Sequence, residues 1–120
     1  MITLYSVTTT ETHIFTDYNS AKEYAKQYMI LCSIADAYVG DSGCGEVRYF
    51  YDSDGSSVRW NPQYVGSSYY QEDIDILCDE MYLDTWRQPT FEDWIQHCIA
   101  KDIYLPRIEQ HTIEVTKWNQ

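Results

Sequence analysis

Residues 46–60, EVRYFYDSDGSSVRW, carry the clearest fold signal in the chain, because two strand-like runs flank the dipeptide Asp54-Gly55. Asp-Gly between such runs is a strong indicator of a two-residue β-hairpin turn. A turn at this dipeptide also fixes the register, since side chains alternate between the two faces of each strand. The predicted cross-strand pairs are Tyr49 with Trp60, Phe50 with Arg59, and Tyr51 with Val58.

The rest of the chain contains further strand-like and helical runs. Alternating residues rich in Thr, Ile and Val predict strands at 2–7, at 12–16 and in the tail from residue 107. Apolar residues that recur every three or four positions predict helices at about 20–38, 72–83 and 90–101. Ser20 with Glu23, and Thr90 with Asp93, have the spacing of capping boxes at two helix starts.

The resulting order of elements is β-β-α-β-β-α-α-β. Strands grouped together, rather than strictly alternating with helices, favour an α+β fold. The prediction is a single domain over residues 1–120, with an antiparallel sheet of about five short strands and helices packed mainly on one face. A chain of 120 residues suits one domain with a core of its own.

The composition describes a strongly acidic protein, with 19 acidic against 8 basic residues and a net charge of −11. This charge argues against nucleic acid or an anionic membrane as a direct partner and favours a basic protein surface. The four cysteines form no C-x-x-C pair, and neither a signal peptide nor a long apolar run is present. These features predict a cytoplasmic protein with reduced thiols.

Residues 71–84, QEDIDILCDEMYLD, contain six carboxylates and no Lys or Arg. On a helical wheel the apolar residues of this segment fall on one side. They are Ile74, Leu77, Cys78 and Met81. The carboxylates cover the outward side, and Ile76 and Leu83 lie among them. The segment from Glu72 to Asp93 carries a net charge of −7, which is most of the chain's net negative charge.

The leading hypothesis is a non-enzymatic acidic binding protein that blocks a basic, nucleic-acid-binding site of a partner. The predicted partner-binding residues are Glu72, Asp73, Asp75, Ile76, Asp79, Glu80, Leu83, Asp84, Tyr69 and Tyr70. Small size, acidity, 12 tyrosines and the lack of catalytic motifs resemble, in character rather than in any motif, small phage-encoded inhibitors of host defence. The resemblance implies a nucleic-acid-handling partner, such as a restriction or CRISPR effector.

Other hypotheses remain open. The acidic side of the helix is also typical of a merely solvated surface. An interaction module using the aromatic loop of Tyr64, Tyr69 and Tyr70 is one alternative, and a small-ligand-binding protein or enzyme with a pocket lined by Tyr and Trp is another. A homodimer formed through a sheet edge, or through Ile76 and Leu83, is a further option.

No metal, cofactor or catalytic site is predicted. The run Asp52-Ser53-Asp54-Gly55 lacks the other ligands of a calcium loop. His97 with Asp93 has no identifiable third ligand, and we expect a surface or half-buried histidine; His13 and His111 are expected to be isolated on strands. Cys44 lies in a loop, where a bystander thiol is more common than a reactive one.

Overall fold

The computed structural model describes residues 1–9, 11–37, 49–51, 58–60, 63–81 and 88–114. The described strands are β1 (Ile2–Thr8), β2 (Thr12–Phe15), β3 (Tyr49–Tyr51), β4 (Val58–Trp60) and β5 (Arg107–Ile113). The described helices are α1 (Tyr18–Ala37), α2 (Ser68–Glu80) and α3 (Phe91–Ala100). The mixture of helices and antiparallel strands is that of an α+β protein, and the described elements follow the predicted order.

The prediction of one sheet of about five strands is wrong. The described strands form a three-stranded antiparallel sheet with the order β2-β1-β5 and, separately, the two-stranded pair β3-β4. In the larger sheet, β1 pairs along its length with β5 from the other end of the chain. Such long-range pairing depends on tertiary packing, which local sequence patterns do not encode.

The chain divides into two compact units, one formed by residues 1–32 with 90–120 and the other by residues 33–89. The three-stranded sheet and α3 belong to the first unit. The β3-β4 pair and α2 belong to the second, and α1 contributes residues to both. The single domain expected from the sequence stays a prediction.

In the β3-β4 pair the predicted register is confirmed. Tyr49 lies opposite Trp60, Phe50 opposite Arg59 and Tyr51 opposite Val58. The Asp54-Gly55 turn itself lies outside the described residues. A turn of fixed length and a side-chain period of two leave little freedom in a hairpin, which is why the pairing is readable from the sequence.

The core of the first unit lies on one face of the three-stranded sheet. Val7 of β1 is fully buried with Ala21 and Ala25 of α1. Tyr5, Phe15, Tyr24, Phe91 and Ile108 pack around this cluster. Because residues of one strand alternate between faces, Ser6 and its even-numbered neighbours in β1 point to the opposite face.

The first helix starts at Tyr18, two residues before the predicted position, because Asp17 rather than Ser20 caps it. The backbone N–H of Ser20 donates to Asp17 Oδ1 at 2.8 Å, and the Ser20 hydroxyl donates to Asp17 Oδ2 at 2.7 Å. These bonds, led by the backbone one, lower the pKa of Asp17. Ser20 thus acts as a donor to the cap instead of being the cap.

For the third helix the predicted capping box is confirmed. The Thr90 hydroxyl accepts from the Asp93 N–H at 3.1 Å, and the Thr90 N–H donates to Asp93 Oδ2 at 2.8 Å. Two N–H groups at the helix start are thereby satisfied. Behind this cap, Trp94 and Cys98 form the buried side of the helix.

Replacing Thr90 with Ala is expected to lower the free energy of unfolding by about 1 kcal/mol, since the Asp93 N–H loses its acceptor. Urea unfolding followed by circular dichroism measures the change. Thr90→Ser keeps a hydroxyl at the same position and should restore most of the loss. Equal losses in both variants would show that the hydroxyl is not what stabilises this helix start.

Candidate functional site

The acidic helix α2 begins at Ser68, one turn earlier than predicted. Ser67 is its N-cap, yet the Ser67 side chain makes no capping bond and instead donates to the carbonyl oxygen of Tyr64 at 2.6 Å. The Ser67 N–H donates to the same carbonyl at 2.9 Å. A turn over residues 64–67 therefore leads into the helix, and Tyr69 and Tyr70 become helical residues.

The earlier start leaves the first helical turn without acidic residues. Glu72 and Asp73 lie in the second turn, where the helix macrodipole no longer favours negative charge to the same extent. A helix-terminus explanation of these two acids therefore does not hold. Asp75, Asp79 and Glu80 follow toward the end of the helix, where the macrodipole disfavours them.

Buried and exposed residues alternate in pairs along α2. The buried side consists of Asp73, Ile74, Leu77 and Cys78. The exposed side includes four carboxylates, which we call the acidic face: Glu72, Asp75, Asp79 and Glu80. Ile76 lies among them and is 48% exposed. The outward clustering predicted from the helical wheel is confirmed for these residues.

Asp73 is an exception, and its predicted place on the exposed side is wrong. Its residue surface is only 3% exposed, and its Oδ2 accepts a hydrogen bond from the hydroxyl of Tyr64, which is itself 1% exposed. On the wheel Asp73 lies at the edge of the buried arc, about 100° from Ile74. Tyr64, which lies outside the helix, covers that edge. A helical wheel cannot show this, because it contains only the residues of the helix.

Removing the Tyr64 hydroxyl with Tyr64→Phe is expected to lower the free energy of unfolding by about 2 kcal/mol, because a buried carboxylate loses a donor. Urea unfolding measures the loss. Tyr69→Phe removes the same atom from a side chain that is 55% exposed, and its effect should be within about 0.5 kcal/mol of zero. Similar losses in the two variants would contradict a stabilising role for the buried bond.

The acidic face is not neutralised by the described part of the fold. Among the described residues, no Lys or Arg forms an ion pair with its four carboxylates. The side-chain amide of Gln71 donates to Asp75 Oδ1 at 2.9 Å and brings no charge. Leu83 and Asp84, the other predicted contact residues of this segment, lie outside the described residues.

The aromatic residues near α2 are not equally available for contacts. Tyr64 is buried and meets the ring of Tyr70 edge-on, with the centroids 5.5 Å apart. Tyr70 is half-buried, whereas Tyr69 is exposed. An interaction surface built on all three tyrosines is therefore disfavoured, because one of them is a core residue.

A groove of about 750 Å³ lies on the face of the three-stranded sheet opposite the core. Its floor contains a contact that the sequence did not suggest: Ser6 Oγ and His111 Nε2 are 2.8 Å apart, although 105 positions separate them. The expectation of an isolated His111 is thus wrong. No described Tyr or Trp lines this groove, so it differs from the ligand pocket expected under the alternative hypothesis.

The Ser6–His111 pair lacks the other parts of a hydrolytic site. Within the described chain, no carboxylate is bonded to His111 to orient its ring. Ser6 belongs to the central strand, which pairs on both sides, and this leaves no free pair of N–H groups for an oxyanion. We interpret the pair as a cross-strand contact.

The other described histidines pack against aromatic rings. His13, which was expected to be isolated, lies against Tyr24, with ring centroids 4.7 Å apart. His97 is buried against Trp94, with ring centroids 6.1 Å apart, so a surface or half-buried position was the wrong expectation. Cys78 and Cys98 are buried, and burial raises the pKa of the half-buried Cys32 thiol. Cys44 lies outside the described residues. In the described ranges, no three His, Cys, Asp or Glu side chains cluster closely enough to hold a metal ion.

The chain was compared with protein-family models, curated proteins and solved structures, and none of them matches it. Over the described residues, no helix has the length and apolarity needed to cross a membrane.

Proposed function

We propose that the protein is a non-enzymatic binding protein whose acidic helix α2 occupies a basic, nucleic-acid-binding site of a partner protein. One observation carries the proposal: the acidic face presents four exposed carboxylates that no described Lys or Arg pairs with. Carboxylates accept the same charge-assisted bonds from Lys and Arg as phosphates do.

The spacing of these carboxylates supports the comparison with phosphates. Glu72 and Glu80 are eight residues apart on the helix, which corresponds to about 12 Å along its axis. Four charges over that length give about one per 4 Å, and one strand of B-DNA carries about one per 3.4 Å. A surface built to bind one strand's phosphates would meet a similar density of negative charge on α2.

The exposed apolar groups within this surface add a second component. Ile76 lies inside the acidic face, and exposed Tyr69 lies one turn before Glu72. Apolar anchors surrounded by charge are typical of protein interfaces, where the anchors supply affinity and the charges supply rate and selectivity. A nucleic-acid-handling protein, such as a restriction or CRISPR effector, is the partner class with the matching basic surface.

Capture from a cell lysate on the immobilised protein tests the proposal when done at low and high salt. We expect the captured partner to be a nucleic-acid-binding protein, to be lost at high salt because exposed charges are screened, and to be displaced by added DNA or RNA. Retention at high salt together with indifference to both nucleic acids would refute the proposal.

A further inference from the structure

The face of the three-stranded sheet that carries the groove is a second surface, which we call the open face. Residues of all three strands line its groove, among them Ser6, Ile14, Arg107, Glu109, His111 and Ile113. Ile2, Ile14 and Ile113 are 48%, 58% and 48% exposed. The solvated face of an antiparallel sheet normally carries polar residues, so exposed isoleucines from all three strands indicate a contact surface.

Charge on the open face is balanced, in contrast to the rest of the chain. Arg107 Nε lies 2.5 Å from Glu109 Oε1, and among the described residues no other Lys, Arg, Asp or Glu lines the groove. The whole chain carries −11. Two copies therefore repel each other through acidic surfaces, and a balanced face is where they can approach most closely.

We propose that two copies of this chain associate through the open face. In a two-fold contact, Arg107 of each copy meets Glu109 of the other. The same two residue types therefore form two equivalent ion pairs across the interface. Ile14 of each copy, the most exposed of the three isoleucines, enters the groove of the other, where Ser6 and His111 form the floor. The described residues of this face carry no excess of acid or base, so the face fits a second copy of itself better than a strongly charged partner.

This proposal is independent of the basic-partner proposal. Salt should affect the two associations, dimerisation and partner binding, in opposite directions. Binding of a basic partner weakens as salt rises. Association of two acidic chains through an apolar, balanced face should strengthen, because salt screens the repulsion between their net charges.

Sedimentation of the full chain over a wide range of protein concentration, at low and high salt, tests the proposal. We expect a monomer–dimer equilibrium that shifts toward dimer with salt. Ile14→Glu should raise the dimer dissociation constant about ten-fold or more, since it buries an unpaired charge. Ile76→Glu makes the same change at an exposed isoleucine of α2 and should leave the constant unchanged.

A charge exchange tests the reciprocal pairing. Arg107→Glu alone should weaken the dimer, because the new glutamate lies opposite Glu109 of the other copy. Combining it with Glu109→Arg should restore dimerisation. A chain that remains monomeric at every concentration would overturn the proposal and leave the open face to another occupant. A dimer that is lost with Ile76→Glu but kept with Ile14→Glu would overturn it equally.

Discussion

Converting the acidic face of α2 to its amides is expected to slow association with a basic partner about ten- to hundred-fold, because the carboxylates steer the encounter. The variant carries Glu72→Gln, Asp75→Asn, Asp79→Asn and Glu80→Gln. All four side chains are exposed, so the fold should be unaffected. Stopped-flow or surface-binding kinetics with the captured partner measures the on-rate, and circular dichroism checks the fold.

A matched control distinguishes the effect of removing charge from α2 from the effect of lowering the net charge of the whole chain. A second variant removes four other exposed acids, with Glu11→Gln, Asp36→Asn, Glu92→Gln and Glu114→Gln. Both variants are less negative than the natural −11 by four charges. If net charge alone attracts the partner, the two variants will slow binding equally, and the assignment of α2 as the binding surface will be wrong.

The neighbouring residues Leu77 and Ile76 are expected to give opposite results. Leu77 is fully buried, so Leu77→Ala should lower the free energy of unfolding by about 3 kcal/mol through lost burial and a cavity. Ile76 is about half exposed, and Ile76→Ala should change stability by less than about 0.5 kcal/mol. In partner binding, Ile76→Ala should speed dissociation and lower affinity, because it removes an exposed apolar contact.

Urea unfolding and equilibrium binding, measured on both variants, complete the comparison. Affinity is compared at a temperature where the Leu77→Ala protein is still folded. We expect it to keep near-natural affinity, because Leu77 does not reach the surface. If Ile76→Ala binds as well as the natural chain, the apolar part of the proposed contact is absent and only charge remains.

Local patterns predicted the elements that depend on local interactions. The hairpin register of Tyr49 and Trp60 follows from a turn signal and a period of two, and the Thr90 cap follows from a side chain and an N–H three positions apart. The start of α2 was missed because Ser67 bonds to the Tyr64 carbonyl instead of capping the helix. No pattern of residue types distinguishes these two uses of a serine hydroxyl.

Features that depend on distant parts of the chain were not predictable from one sequence. Ser6 and His111 meet because β5 pairs with β1, and neither strand carries a local signal for that partner. Asp73 was assigned to the surface from its angle on the helical wheel, and the tyrosine that binds it comes from outside the helix. The outward position of Asp75, Asp79 and Glu80 was predictable because helical periodicity alone decides it.

The bond between Tyr64 and Asp73, together with the buried apolar residues of α2, holds the helix in one rotation about its long axis. A roll of one residue, about 100°, would carry Asp73 into water and turn some of the displayed acids toward the protein interior. The buried carboxylate of Asp73 thus helps to orient the exposed carboxylates of the acidic face. Substitutions at Tyr64 should accordingly alter partner selectivity even though this ring never reaches the solvent.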